Sequence, residues 1–128
     1  MTTFALDLNR AIEKAKDKAE TAVKKITLDL FKSVIKMSPV KTGRFRNNWN
    51  SAIGTADYST TEEVDPSGSN AISRAEAVIA NYKLDGKSIF LTNNLPYAKR
   101  LEEGWSQKQA PQGMVRLSLL SIGRKYGT

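Results

Sequence analysis

The sequence predicts an α+β fold: a long N-terminal helix packed on a small, mostly antiparallel sheet, with shorter helices that include a C-terminal one. Three observations predict it. Apolar residues recur every three or four positions across the first 37 residues, short apolar runs bounded by turn residues follow, and two Pro-opened helical patterns close the chain. At 128 residues the chain fits one domain, 1–128, which can bury roughly two-thirds of its unfolded surface around a single core.

Leu8, Ile12, Ala15, Ala19, Ala22 or Val23, Ile26, Leu30, Val34 and Met37 form the stripe of one amphipathic helix, with Thr2 or Thr3 as its cap. It must end near Ser38, because Pro39 disfavours helical geometry in the residue before it and donates no amide proton. Some 35 residues at about 1.5 Å each make roughly 50 Å, longer than a domain of this size. Part of the helix should therefore project or meet a neighbour, and small Ala15, Ala19 and Ala22 leave room for a close approach. The alternative is a helix that serves only as the core layer.

Pro39 to Gly43 turns the chain. Arg44 to Gly54 then places Phe45, Trp49 and Ile53 on one parity and Arg44, Arg46, Asn48 and Asn50 on the other, as a half-buried strand does, although Arg44 to Asn47 also fits a helical turn. Trp49 on the apolar face is expected in the core. Thr55 to Asn70, rich in Thr, Ser, Gly, Asp and Glu, reads as a mobile acidic loop or hairpin tip, one that could order against a basic partner surface. Ser69 or Asn70 can cap a helix through about Asn81, with Ile72, Ala75 and Ile79 on its apolar face. Asp85-Gly86 marks a turn, and Lys87 to Thr92 reads as a short buried strand. Pro96 opens a short helix on which Tyr97 and Leu101 share a side and which Gly104 stops. Pro111 opens the last helix, with Met114, Val115, Leu117, Leu119 and Ile122 before Gly123 and a frayed basic tail.

Composition narrows the chemistry. With neither Cys nor His, the chain has no disulfide, no thiolate, no imidazole catalysis and none of the usual zinc ligand sets. Asp7, Arg10, Glu13 and Lys14 interrupt the N-terminal apolar residues, so neither a signal peptide nor a membrane span is predicted and a soluble protein is expected. The net charge of +7, from 20 basic and 13 acidic residues, suits nucleic acid or an acidic protein surface. It is unevenly spread: residues 55–70 hold four acidic groups and no basic one, between two basic parts of the chain.

No catalytic motif stands out. Glu102 and Glu103 are adjacent and point to different azimuths of a helix, which makes them a poor acid-base pair and better read as solvated side chains. The glycines are scattered, and none belongs to a phosphate-binding loop. No cofactor is expected. Arg44, Arg46, Trp49, Lys99, Arg100 and Trp105 could combine cationic and stacking contacts, so a basic nucleic-acid-binding module is an alternative reading, although base-reading and single-strand-binding motifs are missing. Trp105 follows a Gly in a polar segment and serves either as a packed lid or as an interface anchor.

Two motif groups carry a resemblance. Ser38-Pro39-Val40-Lys41-Thr42-Gly43-Arg44-Phe45-Arg46 with Trp49 is followed some forty residues later by Asn94-Leu95-Pro96-Tyr97-Ala98, Leu101-Glu102-Glu103-Gly104-Trp105-Ser106 and Ala110-Pro111-Gln112-Gly113-Met114-Val115. In order and spacing they resemble the minor tail or tail-completion (neck) proteins of tailed bacteriophages, over most of the chain. The resemblance implies a small α+β protein without enzymatic activity, located in the virion tail or neck and assembled in the bacterial host cytoplasm. It implies a ring, six copies or alternatively twelve, that completes the tail top and joins it to the head connector around the DNA channel. A tail terminator ring protein is the alternative within that setting. The implied partners are further copies of the chain, a head connector or head-completion protein, a tail terminator or tail tube protein and the passing phage DNA, with no membrane. Arg44, Arg46, Tyr97, Arg100, Glu102, Glu103, Trp105, Gln107, Lys108 and Gln112 become the candidate interface or channel residues under this resemblance. Tyr97 and Leu101 would hold the short helix to the sheet, and Trp105 to Gln112 would close the subunit or meet its neighbour.

Overall fold

A computed structural model describes residues 2–40, 42–96 and 113–126. Its elements are α1 (Thr2–Met37), α2 (Arg44–Asn47), β1 (Trp49–Ile53), α3 (Ser69–Ala80), β2 (Ile89–Asn93) and α4 (Met114–Tyr126). The architecture is α+β, with the long N-terminal helix, an antiparallel two-stranded sheet and shorter helices that include the C-terminal one.

α1 is one uninterrupted helix of 36 residues, about 54 Å at the standard rise. Ser38 ends it: its N–H donates to the Ile35 carbonyl at 3.2 Å and its hydroxyl to the Val34 carbonyl at 2.8 Å, immediately before Pro39. The C-terminal half of α1 packs against the rest of the described fold. There α3 runs antiparallel to it, with Ala71 beside Val34 and Ile35, and Ala75 and Ile79 beside Phe31 and Leu28. α4 is antiparallel to it as well, with Met114 in the core beside Val34 and Ile35. Burying side chains such as Ile35, Val34, Phe31 and Met114 contributes about 1.5–3 kcal/mol each. Residues 13–19, Thr21 and Ala22 are exposed, so this part of the helix extends past its packing partners.

The expected strand over Arg44 to Gly54 is divided. α2 takes Arg44–Asn47 and the strand begins only at Trp49. Gly43 is the cause, since at φ +86° it carries the chain into a turn in which Asn47 N–H reaches the Gly43 carbonyl at 3.0 Å. The Asn48 side chain then closes the turn, its Nδ2 donating to the Arg44 carbonyl at 2.7 Å. Phe45 and Trp49, four apart, lie on one side of this bend with their rings edge to face, 5.8 Å between centroids.

β1 and β2 pair in the register Trp49↔Asn93, Ser51↔Leu91, Ile53↔Ile89. The strand period of two puts Trp49, Leu91 and Ile89 on the face that meets the helices, where they join the core clusters. The alternate positions face the other way, and there residues 57–59 lie against the sheet: Asn50 donates to the Ser59 carbonyl at 2.7 Å and Thr92 to the Asp57 carbonyl. A two-stranded ribbon is marginal alone, and this one is held between helices and loop.

At the C-terminus α4 passes through Gly123 to Tyr126, where a stop and a frayed basic tail were expected. Tertiary contact overrides the glycine, whose cost inside a helix is about 1 kcal/mol. The Asp29 carboxylate accepts from Lys125 Nζ at 2.9 Å and from the Tyr126 hydroxyl, which fastens the last turn to α1. In the first turns of α4, the Ser33 hydroxyl donates to Ser118 at 2.8 Å across the same helix pair.

Candidate assembly surface

Arg44 and Arg46, singled out as interface or channel residues, sit on α2 and turn inward upon their own chain. Arg44 Nη2 lies 3.0 Å from Glu62 Oε1, and its Nε donates to the Thr61 carbonyl at 3.3 Å. Arg46 donates to three carbonyls: Pro66 at 2.9 Å, Lys36 at 2.8 Å and Ser38 at 2.6 Å. Two of these belong to the end of α1, where a helix leaves carbonyls unpaired and its dipole favours a cation. Burial lowers the Arg46 pKa, and Asp65 partly opposes that. With a guanidinium that stays charged far above neutrality, Arg46 clamps the α1 terminus to the 55–68 segment.

Asn47 and Asn48 do the rest of that work and were not singled out from the sequence. Both are buried, at 2% and 1% exposure. The Asn47 amide donates to the Glu63 carbonyl at 3.2 Å, and the Asn48 side chain both donates to the Thr61 carbonyl and accepts the Thr61 N–H, at 3.0 and 2.9 Å. Arg74, from α3, donates to the Asn47 and Trp49 carbonyls at 2.6 and 3.3 Å. Trp49 lies in the core as its strand parity predicts, and its indole N–H donates to Ser38 Oγ at 2.7 Å.

The acidic 55–70 stretch is thus tied to the body by guanidinium and amide groups on and beside α2, by the Asn50 amide of β1, and by the Thr92 hydroxyl of β2 with the Asn94 amide just after it. Its own carboxylates shape it. Asp57 accepts from Ser59, and Asp65 accepts from Ser67 and from the Asn70 N–H at 2.7 Å, while Ser67 Oγ accepts the Ser69 N–H at 3.1 Å, so Asp65 and Ser67, not Ser69 or Asn70, supply the side-chain acceptors for the start of α3. These bonds hold both carboxylic acids below their usual range, through Ser59 for Asp57 and through Ser67 and then Asn70 for Asp65. Gly68 is buried beneath Arg46, and an added Cβ would come within 2.9 Å of Arg46 Cδ and Ile35 Cγ2.

Among the described residues several large apolar side chains face outward, Ile26, Leu84, Leu119 and Leu120 included, and two places bear on assembly. On the loop, Tyr58 is 75% and Val64 53% exposed, beside exposed Glu62 and Glu63. On the helical side, α1 and α3 leave an open groove of about 380 Å³ floored by Leu28, Ile79 and Ala80, with Lys24 and Lys25 along its edge. Among the described residues no group of three or more Asp and Glu could hold a metal ion, and no helix is long and apolar enough to cross a membrane. Tyr97, Arg100, Glu102, Glu103, Trp105, Gln107, Lys108 and Gln112 lie outside the described residues.

The family model described as "Bacteriophage HK97-gp10, putative tail-component" matches residues 3–104, which spans α1 through β2 and the turn built on Gly43. No curated protein and no solved structure matches the chain. With four-fifths of its length aligned to that family, the chain belongs to the HK97-gp10-like family of bacteriophage tail components.

Proposed function

We propose that this tail component acts in the neck of the virion, as a non-enzymatic subunit of a homo-oligomeric ring that completes the tail top and joins it to the head connector. DNA passes through that ring. The observation that carries the reading is α1 itself: a helix of about 54 Å on a small domain, with residues 13–19 exposed, is built to reach beyond its own subunit. Family membership supplies the setting in the virion tail. A tail is a symmetric tube, and a ring that seats on it matches that symmetry with six copies, while a portal-proximal ring would take twelve.

The positive balance of the chain, +7, is compatible with a wall beside a polyanion. Arg44 and Arg46 do not favour a dedicated nucleic-acid module, because their donors are already engaged by carbonyls and by Glu62. The partners that follow from the proposal are further copies of this chain, a head connector or head-completion protein above, and a tail terminator or tube protein below. Assembly takes place in the host cytoplasm. The test is genetic: phage lacking the gene should accumulate DNA-filled heads and separate tails, and a complementing copy should restore joined particles. Normal joining without the gene would remove the neck role.

A further inference from the structure

We infer that the acidic loop of one copy docks its Tyr58 and Val64 into the Lys-edged groove between α1 and α3 of the next copy. This rests on the ring reading above and names the contact that would build the ring.

The argument begins with charge. Residues 55–70 hold four acids and no base, whereas residues 10–25 of α1 hold six basic residues against three acidic ones. Glu76, the one acid among the described residues lining the groove, lies 3.7 Å from Lys32, and Lys24, whose ammonium donates to the Ala80 carbonyl at 3.1 Å, sets the sign of its edge with Lys25. On the loop Arg44 offsets Glu62, Arg46 faces Asp65 and Arg74 faces Asp57, which leaves exposed Glu63 to keep the surface negative. The two patches are therefore complementary in sign.

Apolar character matches too. Tyr58 and Val64 are large apolar side chains left in water at 75% and 53% exposure, while the groove floor of Leu28, Ile79 and Ala80 is an apolar depression of about 380 Å³. An aromatic anchor in an apolar pocket ringed by charge is the usual centre of a protein interface.

Placement then fixes the kind of contact. The loop lies on the sheet face of Asn50 and Thr92, and the helices lie on the face of Trp49 and Leu91. Val64 sits beside α2 and the C-terminal end of α1, between Glu63, bonded to Asn47, and Asp65, bonded to Gly43, while the groove lies near Lys24 and Leu28, some ten residues or roughly 15 Å back along α1, so one chain does not fill its own groove. Pairing must be head to tail between copies, and a head-to-tail contact closes into a ring when its rotation allows.

The test uses two full-length variants, Lys24→Glu/Lys25→Glu in the groove and Glu62→Lys/Glu63→Lys on the loop, followed by sedimentation velocity with circular dichroism to verify folding. The wild-type chain should self-associate in a manner weakened by salt. Each variant alone faces like charge against like and should associate at least about tenfold more weakly. Mixed in equal amounts they should recover, since the reversed loop meets the reversed groove and the unaltered loop meets the unaltered groove, giving alternating oligomers. Tyr58→Ala, folded but weakened, would support the anchor. A wild-type chain that stays monomeric, folded variants that associate as the wild type does, or a mixture no stronger than its components would overturn the inference. A negative mixing result together with a neck defect in the phage would leave the neck role standing and remove only this contact. Recovered mixing without a neck defect would do the opposite.

Discussion

Replacing Arg46 by Ala tests whether this residue is a clamp within the subunit or a contact between subunits. Its guanidinium holds the Lys36, Ser38 and Pro66 carbonyls, and its stem covers Gly68. The Ser38 bond is partly buried, and a charged donor there is worth about 1.5–3 kcal/mol. The Lys36 and Pro66 bonds are exposed, so water replaces them and each contributes about 0.5 kcal/mol. The total is about 3 kcal/mol. With an unfolding entropy of about 2.1 cal/mol/K per residue over this length, the melting temperature should drop roughly 10 °C. Arg46→Lys should keep less than half of the loss at bay, because one ammonium cannot reach carbonyls lying in different directions. Thermal and urea unfolding followed by circular dichroism give the measurement. If Arg46→Ala unfolds within about 0.5 kcal/mol of wild type yet fails to assemble, the clamp is refuted and Arg46 belongs to an interface.

Gly43→Ala should be more damaging than a surface change, since its Cβ would meet Pro66 N at 2.4 Å with φ at +86°; urea unfolding should show a loss of about 2–4 kcal/mol, and hydrogen exchange should rise over residues 61–68. Ser38→Ala and Trp49→Phe should couple in a double-mutant cycle by about 1 kcal/mol through the 2.7 Å indole bond, and additivity would show that bond to be inert. The Asp29 carboxylate is held below its ordinary 3.8 by hydrogen bonds from Lys125 and Tyr126, so its stabilising effect is present above that value and is lost as pH falls through the folded pKa. Asp29→Asn should therefore flatten the acid side of the stability profile and raise exchange in the last turn of α4, and an unchanged profile would remove the pair from the account.

The long helix was legible because its signal is local: a 3.6-residue apolar stripe ends at Ser38-Pro39, and both the stripe and the stop act within a few residues. The helix α3 and the strand β2 were legible for the same reason. The bend at Arg44 to Asn48 was ambiguous because Phe45 and Trp49, four apart, satisfy the helical period, while Phe45, Trp49 and Ile53 also share strand parity; Gly43 in its positive-φ conformation decided between them. Buried Asn47 and Asn48 could not be recognised as structural, since their partners are loop carbonyls thirteen to sixteen residues away. Arg74 and Asp29 share that difficulty, because a polar residue on a helix reads as solvated until a distant chain segment arrives to meet it. The intrachain partners of Arg44 and Arg46 share it too, since Thr61, Glu62, Ser38 and Pro66 lie eight to twenty residues away.

The neck ring is tested most directly by imaging the assembled virion. Cryo-electron microscopy of the head-tail junction, with the chain's density identified by a small tag fused at its N-terminus, should show symmetric copies encircling the channel between connector and tail tube, with α1 of each reaching its neighbour. Finding the tag at the baseplate, along the tail shaft, or nowhere in the particle would contradict the account.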